Sequence, residues 1–179
     1  MSSKKHYIIT SITLGLIGAS SAGLIGLSNL LTRDRIARNE ANKITSGITS
    51  IYGEGASVNK EEDISGHKYV NHIYYIYSGE ALKGYAFKTS GSNMYGKISL
   101  ILGFEIEGNL TPFVGLSIVV NEQTYATTLV DNYVTPVNNG QRDLDDVKCG
   151  ATYGATLIKD MIYEAADVAQ AKLTVNNNE

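Results

Sequence analysis

A long uncharged segment near the N-terminus constrains this chain more than any other feature of its sequence. Tyr7 to Leu31 reads YIITSITLGLIGASSAGLIGLSNLL, and no charged side chain interrupts it. As a helix it would extend roughly 37 Å at about 1.5 Å per residue, enough to cross a hydrocarbon core of about 30 Å with some tilt. We therefore expect residues 1–31 to form an N-terminal tail and a transmembrane anchor.

The same segment also has the parts of a cleaved signal peptide. Lys4 and Lys5 would form its basic start, Ile8 to Ile17 its apolar core, and Ala19 to Ala22 its small-residue cleavage site. The apolar run nevertheless continues beyond that point to Leu31, which favours a retained anchor. The segment contains no cysteine, so a lipoprotein anchor is not expected.

Flanking charges bear on the orientation of such an anchor in the membrane, and small residues bear on its packing against other helices. Four basic residues follow the segment closely and two precede it, which favours a cytoplasmic C-terminal domain, although long domains translocate regardless of such charges. The segment is also rich in Gly, Ala and Ser, which let other helices approach closely. Because a lone anchor needs no such residues, they favour packing against partner membrane proteins.

The composition of the chain is typical of one folded domain beside the anchor. The chain has 179 residues, 43% of them hydrophobic, and a net charge of −3, which gives no indication of nucleic-acid binding. A single cysteine, Cys149, excludes an internal disulfide framework and a cysteine-based metal cage. None of His6, His67 and His72 lies at a ligand-like sequence spacing from a carboxylate, so no metal site is expected.

Hydrophobic patterns predict an antiparallel sheet. Runs rich in β-branched and aromatic residues, separated by turns at Gly79-Glu80 and Gly108-Asn109, predict strands over Tyr69–Tyr77, Gly84–Lys88, Lys97–Ile106 and Leu116–Val120. No alternation of strands with helices appears, so a doubly wound fold is not expected. Asn121 to Leu144 is polar and turn-rich and is predicted to be a loop.

Helices complete the expected α+β fold, on one face or end of the sheet. Thr32 to Thr49 should continue the anchor helix, and Ser50 to Gly66 should be a loop or the first turns of the domain. Apolar residues at helical spacing predict a helix over Gly150 to Ala169. We thus expect a connector helix and loop over residues 32–65, a folded domain over 66–170 and a tail over 171–179.

The stretch Asp146-Val147-Lys148-Cys149-Gly150-Ala151-Thr152 is the most informative for function. It resembles the flavinylation motif of the FMN-binding domain family, in which Asp, two variable residues and Ser or Thr precede Gly-Ala-Thr. The resemblance implies an α+β FMN-binding domain with FMN joined to Thr152 by a phosphodiester, made by an ApbE-type flavin transferase. Asp146 matches the acid of the motif, and Gly150 and Ala151 match its small residues. Cys149 departs from the usual Ser or Thr and is a poorer hydrogen-bond partner for a helix start.

The physical chemistry of the motif is consistent with the resemblance. Thr152 should lie in the first turn of a helix, where free backbone N–H groups and the helix dipole favour a phosphate. Gly150 and Ala151 leave room for the phosphate and ribityl chain near the backbone. A second Gly-Ala-Thr ends at Thr156, but Gly150 stands six residues before it instead of an acid, so Thr152 is the preferred attachment residue.

The wider sequence is similar to that of the singly anchored FMN-binding proteins of the Rnf electron-transport complex. It is less similar to their longer counterparts in the sodium-pumping NADH:quinone reductase. The likeness covers roughly residues 66 to 170 and the anchor. It includes Gly84-Tyr85-Ala86-Phe87, which resembles a GY-x-F strand, and Tyr95-Gly96-Lys97-Ile98, which resembles a YG-x-I strand start. Where those proteins usually have a Glu-Thr-Pro-Gly-Leu-Gly loop, this chain reads Asn121 to Ala126 without glycines.

The resemblance implies an electron relay that works within a larger membrane complex. Its partners would be integral-membrane and soluble subunits that handle ferredoxin and NAD and couple electron flow to sodium or proton export. The flavin domain would lie on the extracytoplasmic side, and no residue of this chain would be catalytic by itself. Tyr153, Thr124 and Tyr125 are further candidates for contact with the flavin.

Two other interpretations of the sequence remain open. A stand-alone anchored FMN protein could deliver electrons to extracellular acceptors. A cofactor-free surface protein could instead use its Tyr-rich strands for binding, although tyrosines in strands usually serve half-buried packing. Hydrolase chemistry has no support, because no nucleophile elbow, Ser/His/Asp arrangement or metal motif is present. Neither a P-loop nor a dinucleotide-binding motif appears.

Overall fold

A computed structural model of the protein describes residues 2–123, Val137 and residues 152–176. Its elements are, in chain order, α1 (Ser2–Tyr52), β1 (Ala56–Asp63), β2 (Val70–Ser78), β3 (Ala81–Asn93), β4 (Gly96–Glu105), β5 (Phe113–Asn121) and α2 (Thr152–Asn176). The expected α+β class, with a long apolar helix before an antiparallel sheet, is confirmed. The chain divides into two compact units, Met1–Ala41 and Asn42–Glu179.

The first unit contains the greater part of α1, and its apolar side chains are exposed. Leucine and isoleucine side chains between Ile8 and Leu31 keep 56–72% of their surface accessible. The hydroxyls of Thr10 and Thr13 donate to the carbonyl oxygens of His6 and Ile9, so these polar groups are satisfied within the helix. With a mean hydropathy of 1.8 in its most apolar part, this helix is long and apolar enough to cross a membrane. A signal sequence near an N-terminus would share those properties.

The second unit is built on a five-stranded antiparallel sheet in the order β1-β2-β3-β4-β5. Each strand therefore pairs with its neighbours in sequence. The tight turns between strands use glycine in left-handed conformations, as at Gly79 (φ 63°) and Gly108 (φ 61°), where other residues would be strained. Both turns lie where the sequence predicted them.

α2 covers one face of the sheet. Its apolar side chains recur at helical spacing, and those at Ile158, Met161, Ile162 and Ala165 are fully buried. They pack on the aromatic side chains of the central strands together with aliphatic neighbours. The aromatic members of this core are Tyr75, Tyr85, Phe87, Phe104 and Phe113. Burial of each such side chain contributes about 1.5–3 kcal/mol to folding.

The C-terminal turns of α1 pack on the opposite face. Ile44, Ile48 and Tyr52 lie four residues apart, on one side of the helix, and are buried against the sheet. The sheet side of this second core comprises Tyr74, Ile76, Ala86, Ile101 and Val119. The sheet thus lies between two helices, so the expectation of helices on one face or end is wrong.

The predicted loop at Ser50 to Gly66 is also wrong over most of its length. α1 continues to Tyr52, and Ala56–Asp63 forms the edge strand β1, paired with β2. Most β1 side chains are exposed, which removes the alternation that identifies a half-buried strand. The compact unit that contains the sheet consequently starts at Asn42, within the stretch expected to be a connector.

Candidate functional site

The stretch from Asp146 to Thr152 ends where α2 begins. Thr152 is the first residue of the helix, so its backbone lies in a first turn whose N–H groups have no partner within the helix. Asp146, Cys149, Gly150 and Ala151 lie outside the described residues, as do Thr124 and Tyr125. The predictions made for those six residues therefore remain predictions.

The tip of the β3–β4 hairpin lies against the first turn of α2. The Asn93 side-chain nitrogen Nδ2 donates to the Tyr153 carbonyl oxygen over 3.2 Å. The rings of Tyr95 and Tyr153 lie side by side, with centroids 5.7 Å apart and planes tilted by 40°. The structure thus brings Tyr153, a sequence-predicted candidate, together with Tyr95, whose place in this site was not predicted.

Gln123 holds this arrangement together from the end of β5. Its Nε2 donates to Asn93 Oδ1 over 3.0 Å and to the Gly96 carbonyl oxygen over 2.8 Å. Only 8% of Gln123 is exposed. Because Asn93 Oδ1 also accepts from the Tyr95 backbone N–H over 2.9 Å, the two side chains fix the conformation of the hairpin tip.

Gly154 allows α2 to approach Gln123 closely. A Cβ at this position would stand 2.8 Å from Gln123 Oε1, closer than real Cβ atoms come. The second Gly-Ala-Thr therefore has a packing role at its glycine. Thr156, the alternative attachment residue, is exposed one turn further along the helix.

Glu122 braces the tip of the same hairpin on its β4 side. Its carboxylate oxygen Oε2 accepts from the Lys97 backbone N–H over 2.7 Å, and its own N–H donates to the Lys97 carbonyl oxygen. Gly96 adopts φ 123°, and a Cβ there would lie 2.7 Å from Glu122 Cβ. Glu122 thus has a structural role at the point where the chain departs from the family's loop.

Aromatic and thioether groups at the hairpin tip face solvent. Tyr95 and Tyr153 are 59% and 60% exposed, and Met94 is 80% exposed. An open pair of aromatic rings beside a helix start can receive a planar cofactor tethered there, while the positive end of the helix dipole suits its phosphate. The described residues therefore fit an FMN group attached at Thr152.

Among the described residues of the second unit, surface cavities also lie away from this site. One, of about 410 Å³, runs along α2 and is lined by His67, Glu164 and Lys172 among others. Another, of about 690 Å³, lies by the β4–β5 turn, where it borders Pro112 and Gln170. Neither is bordered by Tyr95 or Tyr153, so they are separate from the candidate site.

Two of the histidines, His67 and His72, have carboxylate neighbours in the folded chain that their sequence spacing did not predict. His72 Nδ1 lies 2.5 Å from Asp63 Oδ1, and its Nε2 lies 3.4 Å from Glu61 Oε2. These residues meet because β1 pairs with β2, and β1 was not predicted. Within the described part of the chain, no group of three or more possible ligands could hold a metal ion.

Asn93 and Gln123 were missed by sequence reasoning because no motif marks either residue. A polar residue before a hairpin turn, as Asn93 is, gives only a weak signal.

No protein-family model matches the chain, and no curated protein is similar enough to count as a relative.

Proposed function

We propose that this chain is the electron-transfer flavoprotein subunit of a membrane-bound, Rnf-type ion-translocating oxidoreductase complex, with FMN bound covalently to Thr152. The motif from Asp146 to Thr152 carries this proposal, together with the start of α2 at its last residue. The exposed tyrosine pair beside that helix start supports it further, because it offers an open surface for a planar ring.

The attachment itself would use the Thr152 hydroxyl as the acceptor. The hydroxyl loses its proton, its Oγ forms a bond to the phosphorus of the flavin nucleotide, and a phosphoanhydride bond of the donor breaks. FAD is a donor of the required class, with AMP as the leaving group, and an ApbE-type transferase would catalyse the exchange. The positive end of the α2 helix dipole would then stabilise the phosphodiester, which keeps one negative charge.

The chain's own residues would position the cofactor and not transform a substrate. When bound, FMN supplies one- and two-electron redox chemistry. The hairpin tip, fixed by Asn93 and Gln123, keeps Tyr95 and Tyr153 next to the tether. Ferredoxin- and NAD-handling subunits of the complex would supply and remove the electrons, so the chain acts as a relay.

The properties of α1 favour a place within a membrane complex. Among the described residues, no other side chain lies within 4 Å of where a Cβ would stand at Gly15, Gly18, Gly23 or Gly26. Small residues of this kind allow neighbouring helices to approach closely in a bilayer. The proposed arrangement is a single-pass anchor in the cell membrane with the flavin domain on its extracytoplasmic side.

Covalent flavin can be tested directly in the full chain, produced in a host that contains an active flavin transferase. The wild-type protein should give a fluorescent band under ultraviolet light after denaturing electrophoresis, and Thr152→Ala should abolish it. Thr156→Ala is the matched control, since it alters the second Gly-Ala-Thr, and its band should stay bright. A dark wild-type band, or a band lost in Thr156→Ala and kept in Thr152→Ala, would overturn the assignment.

Two further variants test the motif around the attachment residue. Asp146→Asn should reduce flavin loading, because it removes the acid of the motif. Cys149→Ser restores the residue type that the family uses and should maintain or increase loading. Intact-mass spectrometry should show loaded protein heavier by FMN less one water, and equal loading in Asp146→Asn and wild type would count against the resemblance.

The larger assembly needs a separate measurement. The tagged chain, extracted from its native membranes in mild detergent, should co-purify with subunits that oxidise ferredoxin and reduce NAD. If the flavinylated protein is instead recovered alone, the stand-alone electron carrier becomes the better assignment.

A further inference from the structure

Exposed apolar groups of the second unit are concentrated at one place. Among its described residues, the exposed large hydrophobic side chains are Val58, Met94, Tyr95, Leu110, Tyr153 and Val175. Tyr95 and Tyr153 meet where the hairpin tip contacts the first turn of α2, and Met94 is next to Tyr95 in sequence. A cluster of exposed apolar groups indicates a binding surface, while single exposed residues need no explanation.

The cluster is held in place by side-chain hydrogen bonds, of which those made by Gln123 are part-buried. Gln123 links the Asn93 side chain to the Gly96 carbonyl group, and Asn93 in turn donates to the Tyr153 carbonyl oxygen. The backbones that carry both tyrosines are thereby tied to each other. Since a tyrosine side chain has only two rotatable bonds, its ordering on binding costs little conformational entropy.

The attachment residue stands next to this surface in sequence. Thr152 precedes Tyr153 in the first turn of α2, so a group tethered to Thr152 would reach Tyr153 at an effective concentration in the millimolar range. Tethering favours the attached ring over any free ligand. The centroid spacing of 5.7 Å leaves the tyrosine faces open at a tilt, which suits offset or edge contact with another aromatic ring.

We propose that Tyr95 and Tyr153 form the seat of the isoalloxazine ring of the flavin attached at Thr152. This inference rests on the proposed function and extends it, because it names the surface that receives the redox-active ring. Met94 borders the seat at the hairpin tip. A ring held here lies at the surface of the domain, where a partner protein can come within electron-transfer distance of it.

Flavin fluorescence reports contact with tyrosine, because a phenol at van der Waals distance quenches excited flavin by electron transfer. The flavinylated full chain in detergent should therefore show a dominant short fluorescence lifetime. An aromatic contact favours the docked ring about fivefold. Tyr95→Leu and Tyr153→Leu should each lower the ratio of short-lived to long-lived flavin fluorescence by about that factor.

Two controls separate docking from other effects. The double variant Tyr95→Phe/Tyr153→Phe keeps both rings, so it should retain the visible circular dichroism of the docked flavin while its lifetime lengthens. Leu110→Ala removes a comparably exposed apolar side chain at the β4–β5 turn, at the other end of these strands, and should leave both signals unchanged.

The failure of this inference can be told from failure of the proposed function. A bright denatured band with lifetimes that do not change in Tyr95→Leu and Tyr153→Leu would overturn the seat and leave covalent flavin at Thr152 intact. Lifetimes that lengthen equally in Leu110→Ala would also overturn it. A dark denatured band in the wild type would overturn the function and the seat together.

Discussion

The Tyr52 hydroxyl group accepts a hydrogen bond from the Phe104 backbone N–H over 2.8 Å. The same hydroxyl donates to the Tyr85 carbonyl oxygen over 2.7 Å. Tyr85 and Phe104 are partners across β3 and β4, so the last residue of α1 joins two paired strands through one oxygen atom. The contact is buried and fixes the end of α1 on its face of the sheet.

Tyr52→Phe should destabilise the domain by about 1–3 kcal/mol, because the buried Phe104 N–H loses this acceptor. Pulse proteolysis of the full chain in detergent across a urea series would measure the change. Tyr95→Phe, at an exposed ring, is the control and should leave the midpoint unchanged. If Tyr52→Phe had the same urea midpoint as the wild type, the hydrogen bonds of the Tyr52 hydroxyl would contribute nothing to stability.

Alkaline pH should weaken the fold. Burial raises the pKa of Tyr52 and of Tyr85 above the ordinary value of 10.0, and burial together with a hydrogen bond to Glu62 raises that of Tyr75. Groups whose pKa is higher in the folded chain stabilise it fully below their unfolded pKa, and this stability is lost as the pH rises above it. The free energy of unfolding should therefore fall above pH 10.0, with a shallower slope in Tyr52→Phe. Circular dichroism during urea titrations at several pH values would measure both slopes.

Gly103 should not tolerate a side chain. A Cβ there would lie 2.5 Å from Ile51 Cγ2 and 3.1 Å from the Tyr52 hydroxyl oxygen. Overpacking of this kind costs about 1–3 kcal/mol. We expect Gly103→Ala to lower the urea midpoint, whereas Gly55→Ala, where no atom lies within 4 Å, should not.

A second substitution tests which side chain blocks a Cβ at Gly103. Ile51→Ala removes the side-chain atom that the new Cβ would meet. The double variant should therefore lose less stability than the sum of the two single variants. Strict additivity would mean that Ile51 is not the obstacle.

Gln123→Ala should loosen the hairpin tip without unfolding the sheet. The substitution leaves the Gly96 carbonyl oxygen without the Gln123 donor and removes a restraint on Asn93. Hydrogen exchange at the Tyr95 amide, which donates to Asn93 Oδ1, should accelerate by roughly tenfold, as expected for a loss of about 1–1.5 kcal/mol. Gln170→Ala removes a comparable amide that donates to the Asn109 carbonyl oxygen. It should leave Tyr95 exchange unchanged.

Most strands could be predicted because their sequences carry the physical signal of burial. β2 reads VNHIYYIYS, and its β-branched and aromatic residues mark it as a strand. β1 reads ASVNKEED and could not be recognised, because an edge strand with exposed side chains needs no apolar alternation. The second half of β3 was missed for a related reason, since Thr89 is fully buried but belongs to a polar run that ends at Asn93.

The candidate site was predictable only where a motif marks it. Thr152 and Tyr153 follow from the Gly-Ala-Thr pattern and its helix. Tyr95 lies far from them in sequence and reaches them only because the hairpin tip docks on α2. The sequence also carries a signal for the buried face at the end of α1, because apolar residues recur there every four positions, at Ile44, Ile48 and Tyr52. The charged residues around them obscured this pattern.

Because each strand of the sheet pairs with its neighbours in sequence, the sheet can assemble in the order in which the ribosome delivers it. α2 follows all five strands in the chain, so the face of the sheet that receives Ile158 and Ile162 stays uncovered until α2 has been synthesised. Thr152 would acquire its helical surroundings only at that stage. Under the proposed function, a modifying enzyme that recognises the start of α2 would thus act only after the five strands and α2 have been synthesised.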